Sequence, residues 1–195
     1  MYAMVEPIFE SITTMDQPSF AAWVRQREWD SYRYELLHGR VVMTPPAGYP
    51  HGAVAVRISS PIADLARAAG AIVFDSSQGF ELPTGDTVAP DVSVVSAERW
   101  AATTPIMGKF LRVVPELVVE ILSESTASRD RGEKKGIYGA AGVLEYWLVD
   151  TRARTVTVFR GDGERFDGGR ILGANEKLQS RVLPALQLSV GELFG

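Results

Sequence analysis

Asp91 and Glu120 are the residues least suited to their surroundings in this sequence. Asp91 opens the apolar run DVSVV directly after Pro90, and Glu120 sits in the middle of LVVEIL. Both runs have the length and β-branched content of buried strands. A carboxylate there loses its hydration unless it meets a cation, a metal or a proton. Two acids on adjacent strands can supply oxygen ligands to Mg²⁺, which takes few protein carboxylates and keeps several waters. Such an ion acidifies water for attack and stabilises charge developing on a phosphoryl group. Taken singly, each acid has a plainer alternative. Glu120 could form a buried ion pair with Lys134 or an arginine, and Pro-Asp is common turn chemistry. Together they point to a divalent-metal site.

The segment after Glu120 strengthens that combination. Asp130, Lys134 and Tyr138 recur at i, i+4, i+8 and so share one helix face. An exposed Asp–Lys pair at this spacing stabilises by only about 0.3–0.5 kcal/mol, and that description suits Glu133 and Lys135, which sit off the face. Lys134 is the residue to point at the sheet, because Tyr138 and the region of Ala141 must pack there; a lysine so placed can stabilise charge or position a nucleophile. Glu35, within YELL, is a candidate third acid, with an exposed strand position as the alternative. His51 begins a helix, where a neutral imidazole could accept from a phosphate-bound water or cap the turn. His38, beside Gly39, reads as solvent-facing. Arg129, Arg131, Lys134 and Lys135 are a candidate basic patch, although a solvated helix face also explains such a run.

These side chains need elements to hold them. Asp16 is a plausible N-cap for a helix from Pro18 to about Arg27, with Phe20, Trp23 and Val24 on its apolar face. YELL and RVVM read as a hairpin turning at His38-Gly39, stopped by Pro45, Pro46 and Gly48. From His51 to Ala69 the stripe Val54, Ile58, Ile62, Leu65, Ala66 predicts a helix ended by Gly70, with Pro61 expected to bend or divide it. AIVF and QGFELP are strand candidates separated by a turn at Asp75-Ser76-Ser77, and DVSVV follows as another. Residues 97–114 read as a loop with a small helical start. Leu117 to Leu122 reads as a central strand buried on both faces. Ser125, Thr126 and Ser128 offer caps for a helix running to about Ala141, which Gly142 ends. EYWLVD and TVTVF then form a hairpin, and ALQLSVGELF closes against the core.

At 195 residues and 46% hydrophobic content, one core is affordable, and no repeat or linker divides the chain. A single domain over 1–195 is expected: residues 1–50 supply an N-terminal helix and hairpin, 51–160 the core, and 161–195 closing strands. The mixed order of helices and strands predicts an α/β or α+β fold around a central mixed sheet flanked by helices. With no cysteine, disulfides and thiolate metal sites are excluded, which fits a cytoplasmic location. Glu6 and Glu10 keep residues 1–12 from reading as a secretion signal, and no stretch reaches membrane-span length. A net charge of −4 and a pI near 5.3 argue against broad, nonspecific nucleic-acid binding. Phosphate-loop, dinucleotide and HExxH motifs are absent, and two histidines give little support for a hydrolase triad.

The runs APDVSVV, PELVVEILSEST and RDRGEKKGIYGAAGVLEYWLVD, with YELLHGRVVMTPP upstream and RVLPALQLSVGELF at the end, resemble the Uma-two endonuclease-like family of the PD-(D/E)XK nuclease superfamily. The resemblance covers nearly the whole chain and implies a restriction-endonuclease-like core. It implies a Mg²⁺-dependent endonuclease acting on DNA, with Mn²⁺ able to substitute, working as a homodimer without membrane association. By matched motif, Asp91 is the acid of the PD element, Glu120 the second metal-binding acid, and Glu35 the extra metal-side acid. Leu122 stands where the superfamily places its lysine, and Lys134 from the following helix is the natural substitute. His51 and Tyr138 are candidate accessories. A catalytically silent nuclease-fold binding or scaffolding protein is the alternative, and a metal-dependent hydrolase of another substrate is a third.

Overall fold

The computed structural model of the protein describes residues 9–27 and 29–195. Residues 1–8, where Glu6 was read as interrupting a secretion signal, lie outside them. The N-terminal part holds β1 (Phe9–Thr14), α1 (Gln17–Arg25), β2 (Arg33–Leu37), β3 (Arg40–Thr44) and α2 (His51–Ala68). Next come β4 (Ile72–Asp75), β5 (Phe80–Glu81), β6 (Thr87–Val88), β7 (Val92–Val95) and α3 (Ala97–Ala101). β8 (Leu117–Ile121) leads into α4 (Ala127–Arg129), a π-helical turn (Asp130–Lys134) and α5 (Lys135–Ala141). The chain ends with β9 (Glu145–Asp150), β10 (Thr155–Arg160), β11 (Arg170–Leu172), β12 (Lys177–Leu178), β13 (Leu188–Ser189) and a 3₁₀ turn, Val190–Leu193.

The central sheet is mixed, in the order β11-β10-β9-β8-β7-β4, and only β8 and β9 run parallel. A parallel neighbour requires a crossover, and the helical segment 127–141 supplies it. Strand alternation divides β8 between two cores. Leu117, Val119 and Ile121 face Val54, Ile58, Ile62 and Ala66 of α2. Val118 faces the opposite side, where Ile137, Tyr138 and Ala141 of the crossover pack with Tyr146 and Leu148. The closing segment contributes Leu186, Leu188, Val190 and Leu193 to the α2 side.

A second, five-stranded sheet, β1-β3-β2-β6-β5, was not read from the sequence. Its inner face, through Leu37, Val42, Phe80 and Val88, joins the crossover core. Its outer face, Leu36 and Val41, is covered by Phe20 of α1 with Trp23 and Val24 partly buried beside it. The hairpin turn has left-handed residues at both His38 (φ 49°) and Gly39 (φ 77°), the conformation that a type I′ turn demands.

Several expectations shift. The AIVF and QGFELP strands belong to different sheets: β4 pairs with β7, whereas β5 pairs with β6. α1 ends at Arg25 and is capped by Asp16, which accepts from the Ser19 N–H at 2.9 Å. Pro61 does not divide α2, which continues as one 18-residue helix; its buried stripe on the sheet outweighs one lost backbone bond. Because α2 delivers His51 to the sheet end, Ile58→Ala, in a fully buried position, is expected to cost about 2–5 kcal/mol in urea denaturation. An unchanged urea midpoint would contradict this packing.

Candidate active site

The register of β7 and β8, with Val92 opposite Val119, extended by one residue, sets Asp91 across from Glu120 at the end of the central sheet. Directly opposed residues of an antiparallel pair share a face. Asp91 is buried. Its Oδ2 accepts the Ile121 N–H at 2.8 Å and lies 3.1 Å from His51 Nε2, and its Oδ1 accepts from Arg33 Nη1 at 2.8 Å. Burial alone would push this carboxyl up. The His51 hydrogen bond, the Arg33 charge and the Ile121 N–H overcome that and hold it well below the usual carboxylate range. An ionised carboxylate only accepts, so the His51 Nε2 carries the proton in this pair.

Behind Asp91 lies a buried cluster around Lys134, only 1% exposed. Its Nζ is 2.6 Å from Glu120 Oε1, 2.8 Å from Glu35 Oε1 and 3.8 Å from Asp130 Oδ1. Tyr138 donates its hydroxyl to Glu120 Oε1 at 2.7 Å, and the Ala89 N–H donates to Glu35 Oε1 at 3.0 Å. Tyr146 donates to the Asp130 carbonyl at 2.9 Å. Burial and the nearby carboxylates raise both tyrosines, which therefore remain protonated donors. The π-helical turn Asp130–Lys134, a form frequent at functional sites, carries Asp130 and Lys134 into the cluster, and Tyr138 follows on α5.

Charge explains the electrostatics of this cluster. Four carboxyl groups, Glu35, Asp91, Glu120 and Asp130, meet two permanent cations, Arg33 and Lys134, so full ionisation would leave a buried surplus of two negative charges. Lys134 is held protonated against its burial by Glu120, Glu35 and Asp130. Glu35 is lowered, because Lys134, Arg33 and the Ala89 N–H outweigh its desolvation. Glu120 moves the other way, to about 8: burial dominates, and Asp130, Asp91 and Glu35 repel its charge despite the short contact to Lys134. Burial raises Asp130 as well. The cluster thus takes up protons unless a further cation neutralises it.

A divalent ion would be one source of the missing charge. Among the described residues, no group of three or more His, Asp or Glu side chains is arranged to hold an ion. The donor set nevertheless suits Mg²⁺, which is content with one or two carboxylates plus waters and binds oxygen only. Asp91 and Glu120, opposed across the strand pair, would be such a pair, with Glu120 shared between the ion and Lys134, 2.6 Å away.

Each residue singled out in the sequence has a definite place. Glu35, Asp91, Glu120, Lys134, His51 and Tyr138 converge, whereas His38 stays 61% exposed in its turn. The supposed basic patch disperses: Lys134 is buried, Arg131 pairs with Asp150, Arg129 faces Glu10 and Glu133, and Lys135 lies over the Phe159 ring. Arg33 went unread, although its spacing of two from Glu35 on a strand puts both on one face. Asp130 was placed on the right helix face but given no role. An open cleft of about 2040 Å³ runs past Arg33, His51 and Asp91 to Leu122 and the Ser123–Thr126 turn.

Comparison with known proteins identifies the fold and the family. A crystal structure described as a "putative nuclease belonging to DUF820", from Anabaena variabilis, shares the fold with a TM-score of 0.70 at 19% identity, covering 83% of this chain and 89% of that one. Residues 19–191 match the Uma2 family, whose description is "Putative restriction endonuclease", and the chain belongs to that family. No curated protein matches. Among the described residues no helix is long and apolar enough to cross a membrane.

The raised Glu120 has a consequence for stability. Its folded form keeps a proton that the unfolded chain releases above its ordinary value of 4.5, up to about 8. The folded state binds more protons across that window, so stability of the metal-free protein falls as pH rises through it. Glu35 and Asp91 are shifted downward, and their contributions change only below pH 4.5. Urea midpoints in EDTA should decline from pH 5 to 8, and Glu120→Gln should make the decline shallower, the raised Asp130 contributing in the same sense. A midpoint that rises across this range would contradict the assignment.

Proposed function

We propose that this protein is a Mg²⁺-dependent endonuclease that hydrolyses phosphodiester bonds in DNA, with Mn²⁺ able to replace Mg²⁺. The observation that carries the reading is the buried excess of carboxyl groups over cations, four to two, at the end of two paired strands and beside an open cleft. Membership of a family described as an endonuclease supports the reaction class.

Asp91 and Glu120 would hold the ion, which when bound supplies charge to the phosphoryl oxygens and lowers the pKa of water. Arg33, His51 and the Ile121 N–H fix the Asp91 carboxylate so that its orientation is set before any ligand arrives. Glu35 fixes Lys134 from the opposite side. Lys134, kept cationic by its neighbours, stabilises negative charge on the phosphate or positions the attacking water. Tyr138 orients Glu120 through its hydroxyl. A homodimer, implied by the family resemblance, would bring two such sites to two strands.

One specific observation favours a catalytically silent binding protein instead: Leu122 occupies the usual lysine position, and Lys134 is fully engaged by carboxylates. Purified protein separates the two readings. With Mg²⁺ or Mn²⁺, the wild type should nick supercoiled plasmid, and Asp91→Ala and Glu120→Ala should fall to background. Lys134→Arg should lose about a hundredfold or more in rate while retaining calorimetric Mn²⁺ binding. Equal behaviour of wild type and both acid variants would defeat the nuclease reading, and absence of Mn²⁺ binding in all of them would favour the silent one.

A further inference from the structure

The cleft carries a second pattern that the metal chemistry does not use. Among the described residues, three of the four exposed phenylalanine, tryptophan and tyrosine side chains, Phe9, Tyr32 and Tyr49, line this one cleft; the fourth, Trp29, is next in sequence to the lining residue Asp30. Tyr49 is 96% exposed. The remaining described aromatics are buried or half-buried, in stacked pairs such as Phe20–Trp23 and Tyr146–Phe166. Exposed aromatics scattered singly need no explanation, but three of four on one concavity call for one.

The cations of the same cleft behave differently. Arg33, Arg129, Arg131 and Arg152 each face a carboxylate that also lines it. Arg27 lies over the Trp23 ring, 3.6 Å from its centre, and donates to the Trp23 carbonyl. The concavity therefore has little unmatched positive charge, in a chain of net charge −4. Duplex DNA is gripped chiefly by neutralising its phosphates, and its stacked bases hide their faces. A single strand exposes those faces, and aromatic side chains bind them with little regard to sequence.

From this we infer that the cleft accepts single-stranded or locally unpaired nucleic acid, with bases stacked on Tyr49 and Tyr32 at its mouth. The inference rests on reading the cleft as a nucleic-acid site and narrows its substrate class. Tyr49 lies two residues before His51, so its backbone is at most about 7 Å along the chain from that of the residue touching Asp91. A base held there brings its own backbone to the acidic site.

Binding can be read without cleavage, which keeps this inference separable from the nuclease reading. Fluorescence anisotropy in EDTA would compare a labelled oligothymidylate with a duplex of equal length. The wild type should bind the single strand at least about tenfold more tightly than the duplex. Tyr49→Ala and Tyr32→Ala should each weaken single-strand binding about tenfold, and Tyr49→Phe should retain it. Equal or tighter duplex binding, binding of neither probe, or indifference to both alanine substitutions overturns the inference. So does a change of oligomeric state in Tyr49→Ala with single-strand binding intact, which would make the rim a protein interface. Asp91-dependent plasmid nicking by a protein that prefers duplex would sink this inference alone. Preference for single strands without nicking by any form would sink the nuclease reading alone.

Discussion

Four carboxylates and two cations share one desolvated volume, and the site depends on how that imbalance is resolved. Placing an isolated ionised group in a protein interior costs several kcal/mol, so a surplus of two negative charges persists only with compensation. Lys134 serves three acids at once and saturates none of them. Asp91 is drawn away from this competition by its own partners, Arg33, His51 and the Ile121 N–H. Glu120 receives only the shared lysine and a neutral hydroxyl, and its proton affinity rises, as does that of Asp130. The arrangement makes one carboxylate firmly anionic and its neighbour easily protonated. A divalent ion held by the two would meet an anion already formed at Asp91 and would have to displace the proton that Glu120 keeps up to about pH 8.

Convergence of these groups is a consequence of topology. β7 and β8 place Asp91 and Glu120 side by side through antiparallel register alone. The parallel pairing of β8 with β9 forces the chain to cross over, and the crossover segment carries Asp130, Lys134 and Tyr138 over the same face. The hairpin then closes the volume from the second sheet, with Glu35 reaching Lys134 across 99 residues of sequence. None of these contacts is local except the Asp130–Lys134 pair. Folding must therefore be essentially complete before the charges are compensated, which ties the site to the integrity of both sheets.

The strands and helices around the site were legible because their signals are local: alternation in LVVEIL, the 3.6-residue stripe of α2, the Asp16 cap and the His38-Gly39 turn. The second sheet was not, since β5 and β6 are two residues each and β6 joins them to β2 through a register that no periodicity announces. The π-helical turn left the face assignment of Lys134 and Tyr138 intact, because widening one turn moves residues by less than the width of the buried stripe. Arg33 was the costliest omission. Arginine at a strand end reads as solvated, and only the knowledge that Glu35 faces inward turns the two-residue spacing into a prediction about Arg33. The basic run 129–135 misled for the converse reason: sequence lists its charges but not the acids of β1 and β9 that meet them.

β2 has the more specific part in this design. Along it, Arg33 and Glu35 present opposite charges to the same interior, two residues apart. Arg33 reaches forward to Asp91 at the cleft, and Glu35 reaches back to Lys134 beneath it. One strand thereby anchors both the acid Asp91 and the buried cation Lys134, each by a group of opposite sign. Leu122 becomes intelligible in that light. A lysine at position 122 would extend from the strand that bears Glu120 and would compete for the same carboxylate, whereas Lys134 enters from the crossover already held by Glu35. Moving the cation from strand to helix transfers its positioning to β2. A substitution in the hairpin that shifts Glu35 should then disturb the placement of Lys134 as surely as one in Glu120 itself.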